Sequence, residues 1–138
     1  MDMYMEEILD HYKHPHNKGS LKNPAVHMFD SNPLCGDEQE VFIKINNQEK
    51  INKDELSNQK ITEIAFTGRG CAISIAATSM LTDELKGKKL EEVLRLQNDF
   101  VFNLLNVHLS PMRVKCALLG LKLIQKAIIK TVGGENHE

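Results

Sequence analysis

The chain has 138 residues, of which 41% are hydrophobic and 26% charged, and its formal net charge is −2 at neutral pH. This length suits one domain, and the composition is that of a globular protein rather than a disordered or membrane-spanning one. The slight negative charge and the absence of Trp argue against nucleic-acid binding. No apolar run reaches the roughly 20 residues of a membrane span, and the acidic N-terminus is unlike a secretory signal. We therefore expect a cytoplasmic protein with no nucleic-acid or membrane partner.

The first half of the chain predicts one helix followed by strands. A short amphipathic helix is predicted over residues 3–14, ended by Pro15, with Met5, Ile8, Leu9 and Tyr12 on its apolar side. An irregular stretch then runs to Cys35. Alternating residues predict a strand at Val41–Ile45, a minor strand at Lys50–Asn52 and another strand at Ile61–Thr67.

The second half is predicted to be helical. Good helix formers extend over Cys71–Lys86, Leu90–Leu96 and Asp99–Leu105, and Ser110-Pro111 marks the start of a last helix with a clear apolar stripe. Residues 131–138 have the polar composition of a flexible tail, which leaves a single domain over residues 1–130. Strands followed by a run of helices indicate an α+β fold with a small antiparallel sheet of about three strands.

Each of the three cysteines stands at the edge of a predicted element. Cys35 lies in a turn before a strand, and Cys71 follows Gly70 at a helix start, where backbone amides and the helix dipole favour a thiolate. Cys116 lies in the second turn of the last helix, close in sequence to the cations Arg113 and Lys115. The positions suit thiols that are both ionised and accessible.

Three thiolates need one more ligand to complete a tetrahedral metal site, and Asp37 can supply it. It follows Cys35 by two residues, and the intervening Gly36 allows the backbone to direct both side chains to one point. A carboxylate is a hard ligand that holds soft iron–sulfur clusters less firmly than a thiolate does. Such a site would suit a cluster that is later released.

The residues alone also permit a simpler interpretation. A cysteine in a reducing compartment is commonly buried and inert, and a Cys-Gly-Asp sequence occurs in ordinary turns. Cys71 follows Cys35 by 36 residues, and Cys116 follows Cys71 by 45. The sequence therefore has no Cys-x-x-Cys pair and matches no zinc-finger or ferredoxin spacing. Spacing by itself therefore leaves the metal site as one of two possibilities.

Three motifs in the same order make the chain resemble the IscU/SufU/NifU N-terminal family of iron–sulfur cluster assembly scaffold proteins. They are Asn32–Asp37 before a strand, Gly70–Ser74 at a helix start and Pro111–Leu119 in the last helix. A further match at His11-Tyr12, Pro15, Asn17 and Gly19 extends the resemblance over residues 4–130. The resemblance implies a SufE/NifU-like fold, with an N-terminal helix and a C-terminal helical half covering the sheet.

By matching position, the resemblance makes Cys35, Asp37, Cys71 and Cys116 the ligands of a transient [2Fe–2S] cluster, with Zn²⁺ as the alternative occupant. It implies sulfur delivery from a cysteine desulfurase to a site cysteine and cluster transfer to acceptor proteins. The persulfide acceptor would be one of Cys35, Cys71 and Cys116, and we favour Cys35 or Cys116. The protein would then be a carrier rather than an enzyme, or a sulfurtransferase if it is catalytic. Supporting roles fall to Gly36 and Gly70 in the backbone and to Lys115 and Arg113 as charge partners.

Departures from the family pattern keep two functions open. IscU-type proteins have His before the last cysteine, whereas Lys115 stands here, as in SufU-type proteins that bind zinc and relay sulfur. The chaperone-recognition segment of IscU-type proteins is altered to Leu109–Arg113, which argues against a dedicated Hsp70 partner. The insertion of SufU-type proteins between the second and third cysteines is absent, and the extra length lies at Asn47–Lys60. A structural zinc domain for protein contacts is a more distant alternative.

Overall fold

The computed structural model of the protein describes residues 3–33, 36–46 and 51–134. Its helices and strands, in chain order, are α1 (Met3–Lys13), β1 (Val26–Asn32), β2 (Asp37–Ile45), β3 (Ile61–Arg69), α2 (Ala72–Leu85), α3 (Leu90–Arg95), α4 (Asn98–Leu105) and α5 (Pro111–Gly134). A single 3₁₀ turn at Lys53–Glu55 precedes β3. The predicted helices are all present, with ends that differ by one or two residues apart from that of the last helix.

The three strands form an antiparallel sheet in the order β1-β2-β3, which confirms the α+β fold. In β2 every second residue from Asp37 to Ile45 is buried, so the predicted alternation of Val41 and Ile43 is confirmed and extends further toward the N-terminus. Residues on one face of a strand recur with period two. Asp37 therefore points to the same side of the sheet as the apolar core.

Strand β1 was not predicted, because its sequence carries little strand signal. Val26 is its one fully buried residue, and the strand ends in Asp30, Ser31 and Asn32, which have low strand propensity. Its pairing with β2, from Val26 opposite Ile43 to Asn32 opposite Asp37, supplies the missing stabilisation. The irregular stretch predicted before Cys35 is thus partly a strand, and this pairing holds Asp37 at the end of a hairpin.

Two further predictions differ from the structure. The minor strand expected at Lys50–Asn52 is not formed by Ile51 or Asn52, and Lys50 lies outside the described residues. Instead, the Asn52 side chain accepts a hydrogen bond from the Asp54 amide and caps the 3₁₀ turn. Helix α5 continues through Gly134, so it includes the first part of the predicted tail; residues 135–138 lie outside the described residues.

Helix α2 lies at the centre of the molecule. Ten of its residues are buried, and they include four polar ones, Ser74, Thr78, Ser79 and Thr82. Helix α1 packs on one side of α2, and β3, α4 and α5 contact it elsewhere. A central helix needs a partner for each buried hydroxyl group, because an unpaired buried polar group is costly. Those partners define the two polar networks described below.

The outer helices follow their predicted patterns with one exception. In α5 the predicted stripe begins with Val114, which is half-buried, and its other members are buried as predicted: Ala117, Leu118, Leu121, Ile124 and Ile128. In α1 the buried residues are Ile8 and His11, whereas Tyr12, expected on the apolar side, is 42% exposed. Among the described residues, no helix combines the length and the hydropathy needed to cross a membrane.

Candidate metal centre

Three predicted ligands come from three different elements and meet at one end of the sheet. Asp37 is the first residue of β2, Cys71 is the N-cap of α2 and Cys116 lies in the second turn of α5. One ligand atom from each lies within 4.8 Å of the other two. Cys35, the fourth predicted ligand, lies outside the described residues. The structure thus brings together the predicted ligands that it describes.

Asp37 is oriented by the residue with which it would share a metal. Its Oδ1 atom accepts a hydrogen bond of 3.0 Å from the Cys71 amide, and its Oδ2 atom lies 3.7 Å from Cys71 Sγ. A tetrahedral zinc ion with bonds of about 2.1 Å to oxygen and 2.3 Å to sulfur would separate two such ligands by about 3.6 Å. The donor set and this distance both fit a thiophilic metal, with one carboxylate oxygen held by the backbone and the other available.

The two glycines beside the ligands are required for different reasons. A Cβ atom at Gly70 would lie only 2.3 Å from Asp37 Oδ1, so the carboxylate occupies the space that any side chain there would need. Gly36 has φ +75°, a conformation that glycine adopts readily, and a Cβ atom there would meet nothing within 4 Å. Gly70 therefore provides room for a ligand, and Gly36 provides the turn of the hairpin.

The two described cysteines differ in accessibility. Cys71 is partly exposed, and its Sγ atom accepts a long hydrogen bond of 3.5 Å from the Ser74 amide in the first turn of α2. Cys116 is 1% exposed, as is Asp37. The expectation that each thiol is accessible therefore holds for Cys71 and not for Cys116, because α5 packs that cysteine against the core.

The predicted cations lie at the surface rather than within the centre. Arg113 and Lys115 are both exposed at the start of α5, on the chain segment that leads to Cys116. Lys115 lines a surface groove of about 330 Å³ together with Pro33, Leu118, Leu119 and other residues of β1 and α5. Because both side chains are exposed, water and salt screen their charges. They can therefore reduce the electrostatic cost of an anionic site only weakly.

Sequence reasoning missed a buried polar group directly beneath the ligands. Gln39 is fully buried on β2 and bonds to Ser74 and Thr78 of α2, contacts that the sequence analysis did not predict. A usable signal was present: Gln39 follows Asp37 by two residues on a strand, and Ser74 follows Cys71 by three on a helix. Both spacings place a residue on the same side as its ligand.

Comparison with known proteins identifies the family. Residues 3–136 match the family described as NifU-like N terminal domain. The chain belongs to this family. The family predicted from the three cysteine motifs is thereby confirmed, and the collinear match covers nearly the whole chain.

Curated members of the NifU-like family include proteins of both functional types considered above. The chain is 32% identical to the zinc-dependent sulfurtransferase SufU of Bacillus subtilis, over 96% of this chain and 93% of that protein. It is 33% identical to the iron–sulfur cluster assembly scaffold protein IscU of Haemophilus influenzae, over 91% of this chain and 92% of that protein. The SufU alignment extends over 149 positions, more than the 138 residues here, so SufU has residues without a counterpart in this chain.

The fold agrees with a solved NifU-like structure. The N-terminal part of a nitrogen-fixing NifU-like protein from Brucella abortus superposes with a TM-score of 0.69 and 17% identity, over 94% of each chain. At this identity the likeness shows the fold alone. The predicted SufE/NifU-like architecture is confirmed.

Proposed function

We propose that the protein is a scaffold on which a labile [2Fe–2S] cluster is assembled from iron and desulfurase-derived sulfur and then passed to acceptor proteins. The observation that supports this most directly is the convergence of Asp37, Cys71 and Cys116 within 4.8 Å. Two of these groups are soft thiol ligands and one is a hard carboxylate, a combination that binds iron and still permits release.

Cys35 is proposed as the fourth ligand. It stands two residues before Asp37, so peptide geometry keeps its Cα atom within about 7.6 Å of that of Asp37. Four anionic ligands around a zinc ion or an oxidised cluster would leave a net charge of about −2. Because Cys116 is buried in the described structure, Cys35 is the better candidate of the two for the persulfide acceptor.

Sulfur would arrive by thiol–persulfide exchange. A thiolate of this chain attacks the outer sulfur atom of the desulfurase persulfide, forming a new persulfide here and releasing the desulfurase cysteine as a thiolate. This step conserves atoms and electrons. Conversion of the transferred sulfur to sulfide then consumes two electrons, which dithiothreitol supplies in the assay below.

Zinc-dependent sulfur transfer is the second candidate. One observation favours it: a SufU relative bears the name of a zinc-dependent sulfurtransferase. The Oδ2–Sγ distance of 3.7 Å fits two ligands on one tetrahedral ion, whether that ion is zinc or an iron of a cluster. A structural zinc domain would use the same ligands without exchanging sulfur.

The decisive experiment measures iron, zinc and acid-labile sulfide, with a visible spectrum, on anaerobically purified protein. The measurement is repeated after incubation with a cysteine desulfurase, cysteine, Fe²⁺ and dithiothreitol. About equal iron and sulfide with the visible bands of a [2Fe–2S] cluster supports the scaffold. Retained zinc, no cluster and a faster desulfurase supports sulfur transfer, and zinc with an unchanged desulfurase rate supports the structural domain. Cys71→Ser should lower the metal content in every case.

The carboxylate provides a further test of the scaffold. Asp37→Ala removes the hard ligand, and we expect a reconstituted cluster to be lost to a chelator more slowly than from the unmodified protein. Asp83→Ala is the matched control, because Asp83 is a surface carboxylate that bonds to His16 and Asn17 away from the centre. Faster cluster loss from Asp37→Ala than from Asp83→Ala would contradict the assignment of Asp37 as the labile ligand.

A further inference from the structure

A neutral glutamine, Gln39, lies fully buried between the sheet and α2. It follows Asp37 by two residues on the same face of β2. Gln39 Nε2 donates to Ser74 Oγ at 3.0 Å and lies 3.3 Å from the Ser74 carbonyl oxygen, to which it also donates. Its Oε1 atom accepts a hydrogen bond of 2.9 Å from Thr78 Oγ1. Both ends of the amide are therefore bonded to α2, and its orientation is fixed.

Helix α5 packs closely against the same contact at Gly120, which has no side chain. A Cβ atom at Gly120 would lie 2.2 Å from Thr78 Oγ1 and 3.2 Å from Gln39 Oε1. Gly120 follows Cys116 by four residues, so the two lie one turn apart on the same side of α5. The Thr78 hydroxyl, itself held by Gln39, thus determines how closely the part of α5 that carries Cys116 approaches α2.

Gln39 and each group that it contacts lie next to a predicted ligand. Gln39 lies on the same face of β2 as Asp37, and Ser74, whose carbonyl and hydroxyl oxygens it bonds, has its amide directed at Cys71 Sγ. Gly120 is one helical turn from Cys116. The amide thereby connects the three elements that carry the described ligands, at a depth where water does not compete for its hydrogen bonds.

We propose that Gln39 is a positioning residue for the metal centre: its amide sets the relative placement of Asp37, Cys71 and Cys116. The inference rests on the proposed function only in requiring that these residues bind a metal. It does not depend on whether the metal belongs to a cluster or is zinc.

The chemistry of the amide explains why a glutamine suits this position. An apolar residue would fill the space but could not fix β2 against α2, because packing alone is not directional. A carboxylate would add charge beneath an anionic site and would face the Ser74 carbonyl oxygen without a proton to donate. Glutamine donates, accepts and remains neutral.

The test uses Co²⁺ as a probe, since its visible spectrum reports thiolate coordination and ligand geometry without any sulfur chemistry. Gln39→Met retains an unbranched side chain and removes the hydrogen bonds. We expect Co²⁺ and Zn²⁺ affinity to fall by about 10- to 100-fold, as for the loss of outer-shell partners elsewhere, with a shift of the cobalt bands. The matched control is Gln59→Met, which alters an equally buried glutamine that accepts a hydrogen bond from the Asn52 amide.

The outcomes separate this inference from the proposed function. Gln39→Met with altered cobalt bands, beside Gln59→Met with unaltered bands, supports it. Unaltered bands and affinity in a folded Gln39→Met variant overturn it, as do equal changes in both variants. If Gln39→Met does not fold, Thr78→Val carries the same test, because it removes one hydroxyl group and keeps the shape. Absence of thiolate bands in the unmodified protein would contradict the proposed metal site itself.

Discussion

Helix α2 carries two buried polar networks, and they differ in kind. Toward the sheet and α5, Ser74 and Thr78 bond to Gln39, and this network contains no ionisable side chain. Toward α1, the buried Ser79 Oγ atom accepts the His16 amide at 2.7 Å and lies 2.7 Å from His11 Nδ1. The first network supports the metal centre, whereas the second fastens the N-terminal helix.

The network on the α1 side extends to the surface and can be titrated. His16 Nδ1 lies 2.5 Å from Asp83 Oδ2, and Asn17 Nδ2 donates to Thr82 Oγ1 and Asp83 Oδ1, each at 2.9 Å. The centroids of the His11 and His16 rings lie 4.3 Å apart. Burial, and then the charge of His16, lower the pKa of His11. The comparison indicates that pH should affect the attachment of α1 and leave the network of Gln39 unchanged.

The largest expected effect on the metal side comes from Gly70→Ala. The new Cβ atom would overlap Asp37 Oδ1, so the carboxylate must turn away from the Cys71 amide. We expect Co²⁺ affinity to fall by about 100-fold. Gly87→Ala is the control, because Gly87 also has a positive φ but open space around it, and should cost only backbone strain of about 1–2 kcal/mol. Equal cobalt affinity in the two variants would contradict the role of Gly70.

Gly120→Ala should be the next largest change. Its Cβ atom would contact Thr78 Oγ1 at 2.2 Å, and such overpacking costs about 1–3 kcal/mol of unfolding free energy. Thr78→Ala removes that oxygen, so the double variant should recover about 1 kcal/mol or more of coupling in a double-mutant cycle. Denaturant unfolding of the four proteins measures this coupling. Strict additivity would show that Thr78 does not limit the approach of α5.

Ser79→Ala should affect only the α1 side. It leaves the partly buried His16 amide and the buried His11 ring without the hydroxyl group, at a cost of about 1–2 kcal/mol, or about 3–7 °C in Tm. The cobalt spectrum should stay as in the unmodified protein. Ser31→Ala, at an exposed serine of β1, should change stability by less than about 0.5 kcal/mol. A changed cobalt spectrum in Ser79→Ala would show that the two networks are not independent.

The smallest expected effect is the pH dependence of stability. Because the pKa of His11 is lower in the folded protein than its usual value of about 6.5, the unfolded chain binds more protons in this range. The contribution of His11 is therefore complete above pH 6.5 and is lost as the pH falls through that value toward the folded pKa. Thermal unfolding between pH 7.5 and 5.5 should show a falling Tm.

Two variants isolate the histidine responsible. His11→Gln should flatten the dependence of Tm on pH, whereas His14→Gln, at an exposed residue just after α1, should retain the slope of the unmodified protein. A slope unaffected by His11→Gln would assign the pH dependence to another group.

The two networks also show how far sequence reasoning reached. Cys71, Cys116 and Asp37 were predicted from their motifs, because a helix start or a turn is visible within a few neighbouring residues. Gln39 was missed, since its partners Ser74 and Thr78 lie 35 and 39 residues away along the chain. His11 was assigned to the family motif but not to the buried side of α1, because hydrophobic periodicity favours Tyr12 there.

The sequence by itself determined the local features: the alternation of β2, the helix starts at Cys71 and Ser110, the apolar stripe of α5 and the three cysteine motifs. Tertiary structure alone decided that β1 is a strand, that Cys116 is buried and that Gln39 joins the elements of the metal centre. The physical reason is range. Turns, caps and periodicity depend on adjacent residues, whereas strand pairing and buried hydrogen bonds depend on groups that only the folded chain brings together.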